Sequence, residues 1–204
     1  QLERAKARVE RKNRGGGYIA YFQAFTNTYA PLDILEKRYK EAIDCDGVIA
    51  LSVATRPDCI NNDICALLKD LSKRVYVCVE LGLQTSNDTT AEFINRCYRT
   101  EVYKKAVELL NSFDIDVITH IILGLPGEDY NDMLRSVQYA VDCGTSGLKL
   151  QMLHIIKGTK LAEIYTANPF HVFTYNEYIR LVADIVENIP PEIVIHRLTG
   201  DGDK

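Results

Sequence analysis

Short apolar runs rich in β-branched residues recur along the chain and alternate with segments of helical periodicity. The runs lie at residues 18–22, 47–53, 74–83, 115–123, 147–156 and 192–198. Most of their positions are apolar, which is typical of strands that are buried on both faces of a parallel sheet. The helix-like patterns lie between them, at residues 31–43, 61–71, 101–113, 129–144 and 174–189.

Strand–helix alternation through the whole chain predicts βα units, and therefore an α/β fold whose parallel strands form a sheet or barrel. Local signals support the helix boundaries: Thr174 and Glu177 have the spacing of a capping box, and Gly144 is placed to end a helix. The glycines at 15–17 form a joint. We therefore predict a helix and joint over residues 1–17, followed by one domain over residues 18–204.

The composition narrows the class of protein and of partner. The chain has 204 residues, of which 47% are hydrophobic and 25% are charged, as expected for a globular domain with a sizeable core. Its formal net charge of −4 gives no support to a nucleic acid partner. No apolar run approaches the ~18 residues that cross a bilayer, so we expect a cytoplasmic protein without a membrane partner.

The cysteines do not have the spacing of a metal site. The chain has six of them, and none lies in a CxxC or CxxxCxxC pattern. Cys78 falls inside an apolar strand-like run and Cys65 inside a helix-like one. We therefore predict buried, reduced thiols at these two positions and no metal ligands within this chain.

Polar side chains and glycines gather where the predicted strands end, and in βα barrels this is the end that carries the chemistry. We expect the group to bind a ligand, with the turn after Gly124 suited to a flat or anionic group and Arg96 able to grip a carboxylate. Each residue type also has a structural explanation. The structural alternatives are helix N-caps at Thr28 and Asp58, an interior histidine at His120, a tight turn at 124–127 and a solvated helix-end charge at Arg96.

Several strings, taken together and in this order, resemble one group within the radical S-adenosylmethionine (SAM) proteins. They are AYFQAFTNTYAP, TRPDC, ELGLQT, INR, HIILGLPGE, LKLQMLHIIKGT and EIVIHRLTGD. The chain is similar to the YhcC-like proteins, which are related to the catalytic subunit of Elongator. The resemblance covers nearly the whole chain, from Tyr18 to Asp201.

The resemblance implies a fold and an activity. The fold would be a partial (β/α) TIM-type barrel of about six parallel strands that holds SAM against a [4Fe–4S] cluster. One electron from the reduced cluster would cleave SAM to a 5′-deoxyadenosyl radical, which abstracts hydrogen from a substrate. The implied partners are an electron donor and a substrate that the sequence does not identify.

The resemblance also assigns roles to residues of this chain. Gln84 resembles the ribose contact, Arg96 the contact to the SAM carboxylate, and His120 a second ribose contact. Ile122 through Gly124 resemble the element that packs on adenine. The SAM amino group would be received by a segment that includes Gln23, Thr26 and Asn27.

Two departures from the family pattern change the expectation. The CxxxCxxC loop of the relatives precedes the strand that begins at Tyr18, and this chain starts after it. We therefore expect an inactive fragment of an oxidoreductase, with the cluster ligands outside this chain and an exposed barrel edge that favours self-association. In addition, Ala54 stands where the Elongator-like motif TIETRPD has a carboxylate.

Two other classes of protein remain as alternatives. A barrel without a cluster would serve as a SAM- or partner-binding module without catalysis. An aldolase-type barrel is disfavoured, because it would need a lysine at the carboxyl end of a strand and Lys149 lies within its strand.

Overall fold

A computed structural model describes residues 16–200, and the predicted helix at residues 1–14 lies outside them. The strands of the described part are β1 (Tyr18–Phe22), β2 (Val48–Thr55), β3 (Tyr76–Gln84), β4 (Asp116–Leu123), β5 (Gly147–Met152) and β6 (Val194–Arg197). The helices are α1 (Leu32–Ile43), α2 (Asn62–Leu71), α3 (Asp88–Phe93), α4 (Thr100–Ser112), α5 (Tyr130–Asp142), α6 (Lys160–Ala167) and α7 (Tyr175–Asn188), with a 3₁₀ turn at Pro57–Cys59.

The six strands described here belong to one sheet, in the order β1-β2-β3-β4-β5-β6. The pairings of β1 with β2, β2 with β3, β4 with β5 and β5 with β6 are all parallel. A strand order that follows the chain order, with helices between the strands, is the arrangement of a βα barrel. The predicted α/β fold with about six parallel strands is confirmed.

Contacts divide the chain into two compact units. Unit 1 takes in the described residues up to Leu81 together with Lys105–Val117, and unit 2 takes in Gly82–Lys104 and the described residues from Ile118 onward. In unit 1 the carboxyl ends of β1 and β2 run side by side, with Phe22 opposite Val53. In unit 2 the carboxyl ends of β4 and β5 do the same, with Leu123 opposite Met152. The prediction of one domain over residues 18–204 stays a prediction.

The strands of unit 2 have one face that helices cover and one that they leave half-open. On β4, Thr119, Ile121 and Leu123 are fully buried, and the hydroxyl of Tyr103 on α4 lies 2.6 Å from that of Thr119. Because side chains alternate along a strand, His120 and Ile122 point the other way, and both are half-buried. The second face is therefore the one on which a ligand can contact the sheet.

The helix boundaries follow from local capping. The predicted capping box of α7 is confirmed, since the Thr174 side chain accepts from the backbone of Glu177 and the Glu177 side chain accepts in return. Gly144 follows α5 with a φ of 90°, the left-handed conformation that glycine adopts readily. Asn61 caps α2 by accepting from the Ile64 N–H at 3.0 Å.

Some expectations were wrong in detail. Thr28 and Asp58 are not N-caps. Thr28 donates to the carbonyl of Cys59, and the carboxylate of Asp58 accepts from Nε and Nη2 of Arg56. Helices α3 and α6 were not predicted, because α3 has six residues and α6 buries none of its side chains. Cys65 and Cys78 are buried cysteines outside any described disulfide, as predicted. No described helix has the length and apolar character that a membrane span requires.

Candidate functional site

The carboxyl end of β3 has a strained backbone at Gln84. Its φ is 64°, in the left-handed region that residues with a Cβ seldom occupy. The side chain folds back over Gly82, since a Cβ added at Gly82 would lie 2.8 Å from the amide nitrogen of Gln84. Strain of this kind persists only where neighbouring contacts enforce it, and it is concentrated at binding sites.

The guanidinium of Arg96 supplies most of those contacts. Arg96 is 6% exposed, although it is charged at any physiological pH. Its Nη1 donates to the carbonyls of Leu83 at 2.8 Å and Thr85 at 2.6 Å, the residues on either side of Gln84. Its Nε donates to the carbonyl of Tyr98 at 3.0 Å. The backbone on both sides of the strained residue is thus fixed by one buried cation.

The remaining nitrogen of Arg96 holds the start of α3 and α4. Nη2 donates to Asp88 Oδ1 at 3.1 Å and to Thr100 Oγ1 at 3.0 Å. Partial burial raises the pKa of Asp88, but the hydrogen bonds from Thr100 and the charge of Arg96 outweigh it and leave this pKa below its usual value. Since a guanidinium has five N–H donors, these five bonds use all of them. All five donors of Arg96 therefore have partners within the protein, and its predicted contact to the SAM carboxylate stays a prediction.

Two further side chains fasten the same turn. The hydroxyl of Tyr98 donates to the carbonyl of Gly82 at 2.5 Å, and the ring of Tyr98 lies against the Arg96 guanidinium. The hydroxyl of Thr85, which is fully buried, donates to a carboxylate oxygen of Glu128 in a short hydrogen bond. Glu128 follows β4, so this bond ties the end of β3 to the loop after β4. Burial raises the pKa of Glu128 above its ordinary value.

The end of β4 presents the next set of predicted residues. Nδ1 of His120 lies 3.4 Å from Nε2 of Gln151 on the neighbouring strand β5. Gln151 is paired in register with Ile122, which is half-buried. Gly124 and Gly127 follow with φ values of 89° and 84°. A Cβ added at Gly127 would meet no atom within 4 Å. The backbone at Gly127 is therefore open to close approach by a ligand, and the residues present fit a flat, hydroxyl-bearing group such as an adenosine.

The segment that follows β1 lies in unit 1. Asn27 uses its amide nitrogen to hold the loop, donating to the carbonyls of Phe22 at 3.0 Å and Ala54 at 2.8 Å. Gln23 is exposed and Thr26 half-buried. Between them Phe25 is 96% exposed with a φ of 64°. Sequence reasoning missed Phe25, because nothing in a single sequence signals a strained aromatic residue in a loop.

Unit 1 also contains a buried carboxylate that was not among the predicted site residues. Glu80 on β3 is 4% exposed and lies opposite Ala54 in register. Its two oxygens accept from the hydroxyls of Tyr21 and Ser52, each at 2.8 Å. The signal was present in the sequence as a single acid within the apolar run VCVELGL. Among the described residues, no group of three histidine, cysteine or acidic side chains is placed to hold a metal ion.

Comparison with protein families gives two matches along the chain. The profile of the Radical SAM superfamily matches residues 1–140, and that of the Radical_SAM C-terminal domain matches residues 145–204. Protein YtqA of Bacillus subtilis (strain 168) is 41% identical over 99% of this chain and 63% of its own. Protein YhcC of Escherichia coli (strain K12) is 35% identical over 92% of this chain and 61% of its own. The chain thus spans about three fifths of the length of these relatives.

Solved structures share the fold at low sequence identity. Elp3 of Methanocaldococcus infernus, with residues 1–46 deleted, superposes with a TM-score of 0.80 at 18% identity, over 98% of this chain and 51% of that one. Coproporphyrinogen III oxidase of Escherichia coli gives 0.62 at 12% identity, over 83% of this chain and 39% of that one. The parallel βα sheet and these likenesses define the class as a partial (β/α) barrel. Within that class, the chain belongs to the Radical SAM superfamily.

Replacing Arg96 with lysine should destabilise the protein. Lysine keeps the charge but cannot reach five acceptors in a planar fork, so buried carbonyls lose their donors. We expect the Arg96→Lys variant to lose at least about 3 kcal/mol of unfolding free energy in urea titrations. Arg99→Lys, an exposed arginine three residues away, is the matched control and should change by less than about 0.5 kcal/mol. Equal stability of the two variants would contradict the role given to Arg96.

Glu128 should make stability depend on pH in a defined direction. Its folded pKa is raised above the ordinary 4.5, so the folded state binds a proton more tightly than the unfolded state does. The contribution of Glu128 to stability is then greatest at low pH and is lost as pH rises through its folded pKa. Between about pH 4 and about pH 7, the unfolding free energy of Glu128→Gln should therefore rise relative to wild type. Glu187→Gln, on the exposed side of α7, is the control, and its unfolding free energy relative to wild type should not change with pH. If the difference between Glu128→Gln and wild type is constant or falls as pH rises, the raised pKa of Glu128 is refuted.

Proposed function

We propose that this chain is the SAM-binding barrel of a radical SAM enzyme, and that Gln84 is its central contact to SAM. The observation that supports this most directly is the strained backbone of Gln84, which buried contacts from Arg96, Tyr98 and Glu128 enforce. A residue held in this way costs stability, and a binding role explains why an amide side chain stands there instead of glycine.

Different side chains of unit 2 are proposed to contact the ribose and the base of the adenosine part of SAM. The amide of Gln84 and the ring of His120 are suited to hydrogen bonds with ribose hydroxyls. The half-buried side chain of Ile122 offers an apolar edge to the base, and Gly124 is proposed to lie beside the base at the end of β4. These positions are the ones that the family resemblance assigns to the ribose and to adenine.

The assignment of the SAM amino group to the residues after β1, which belong to unit 1, stays a prediction from the family resemblance. The amide nitrogen of Asn27 is committed to backbone carbonyls, so its Oδ1 is the atom of the right kind to accept from an ammonium group. The hydroxyl of Thr26 and the side-chain oxygen of Gln23 are acceptors of the same kind. Arg96, by contrast, is proposed to act by positioning Gln84.

The cofactor supplies the radical chemistry and the protein supplies placement. A reduced [4Fe–4S] cluster delivers the electron that cleaves SAM to a 5′-deoxyadenosyl radical in radical SAM enzymes. The donor set for such a cluster does not fit the described residues, in which no three candidate ligands converge. Catalysis is therefore proposed only for the whole protein, acting on a substrate with an external electron donor.

Substitution of Gln84 by glycine separates binding from stability. Glycine adopts a φ of 64° without strain, so the fold should be retained within about 1 kcal/mol. The ribose contact is lost, and SAM affinity should fall about tenfold from a wild-type dissociation constant on the order of a millimolar. Ligand-observed NMR titration of SAM measures the affinity, and urea titration measures the unfolding free energy.

The matched control is Asn95→Gly, because Asn95 is an exposed residue with a φ of 54°. This variant should relieve similar strain and bind SAM as the wild type does. The proposal fails if wild-type protein shows no SAM binding at millimolar concentration. It also fails if Gln84→Gly and Asn95→Gly bind SAM equally well.

A further inference from the structure

An aromatic ring covers the glycine at the end of β4. A Cβ added at Gly124 would lie 2.9 Å from both Cδ2 and Cε2 of Phe173, a separation that no real side chain tolerates. The same Cβ would lie 3.9 Å from the Cβ of Leu153. Phe173 therefore packs directly on the bare backbone of Gly124, and only glycine allows the ring to come so close.

The ring of Phe173 is held in place from its other sides. It meets the ring of His171 edge-on at a centroid distance of 5.5 Å, and that of Tyr178 at 6.3 Å. Tyr178 is 6% exposed and donates to the carbonyl of Leu198 at 2.6 Å. The capping box of α7 begins at Thr174, the residue after Phe173. These contacts fix the ring before any ligand arrives.

The position of this ring gives it a chemical role. It is half-buried, and it stands at the strand end where Ile122 and Gly124 are proposed to contact the adenine of SAM. We infer that Phe173 is a further adenine contact, which stacks on the base while Ile122 supplies the apolar edge. The inference rests on the proposed function and adds a residue that lies outside the strand-end motifs.

The physical basis is the flat surface that both groups present. A base that stacks on an aromatic side chain gains contact area without needing a particular hydrogen-bond pattern. A ring already fixed by His171 and Tyr178 loses little freedom when the base arrives, so more of the contact energy contributes to affinity. Leucine at this position would fill similar space but offer no planar face.

The experiment compares Phe173→Leu with Phe170→Leu, and both with wild type. Phe170 is also half-buried, and its ring packs edge-on against Tyr165 at 5.1 Å. The probes are SAM, adenosine and methionine, titrated separately by ligand-observed NMR. The Phe173→Leu variant should bind SAM and adenosine about tenfold more weakly than wild type and bind methionine equally well. The Phe173→Tyr variant, which keeps an aromatic ring, should bind all three probes as wild type does. Phe170→Leu should bind all three probes as wild type does.

A second measurement does not depend on the variants folding. In wild-type protein, the H2 and H8 protons of bound adenosine should shift upfield and show nuclear Overhauser contacts to the ring protons of Phe173. Adenosine that binds without these contacts, or that binds equally or more tightly to Phe173→Leu, overturns the inference and leaves the proposed function standing. Failure of wild-type protein to bind either SAM or adenosine overturns the proposed function itself.

Discussion

The candidate site depends on one buried cation. Arg96 is buried and has five N–H donors, which are satisfied by backbone carbonyls of Leu83, Thr85 and Tyr98 and by side chains from α3 and α4. A buried charge that lost these acceptors would be very costly, so the turn cannot relax independently of the arginine. The strained conformation of Gln84 is a consequence of this constraint.

The same constraint connects the strand ends of unit 2. Thr85, whose carbonyl accepts from Arg96, uses its hydroxyl to reach Glu128 beyond β4. The loop that contains Glu128 begins at Gly124, where the ring of Phe173 packs on the backbone. Gln84, the turn that begins at Gly124 and the ring of Phe173 are therefore parts of one preorganised surface at the strand ends of unit 2. Preorganisation of this kind reduces what a ligand loses in ordering the protein.

The fold could be predicted from the sequence because apolar periodicity and capping are local signals, as the boundaries of β1 and α7 show. The strand ends that carry polar residues could be predicted for the same reason. The partners of Arg96 could not, since they are mostly backbone carbonyls, which look alike in every sequence. Phe173 was missed because its meaning depends on contact with Gly124, which is distant along the chain. A left-handed φ at Gln84 leaves no trace in residue identity.

The most direct test is the nitrogen-15 NMR spectrum of the Arg96 guanidinium, recorded before and after saturation with SAM and assigned by its loss in Arg96→Lys. If Arg96 holds the end of β3, its N–H protons exchange slowly with water, and their hydrogen-bond couplings to the carbonyls of Leu83 and Thr85 persist when SAM binds. If those couplings vanish on SAM binding, and the guanidinium instead shows contacts to the SAM carboxylate, Arg96 is a direct ligand and its positioning role is contradicted.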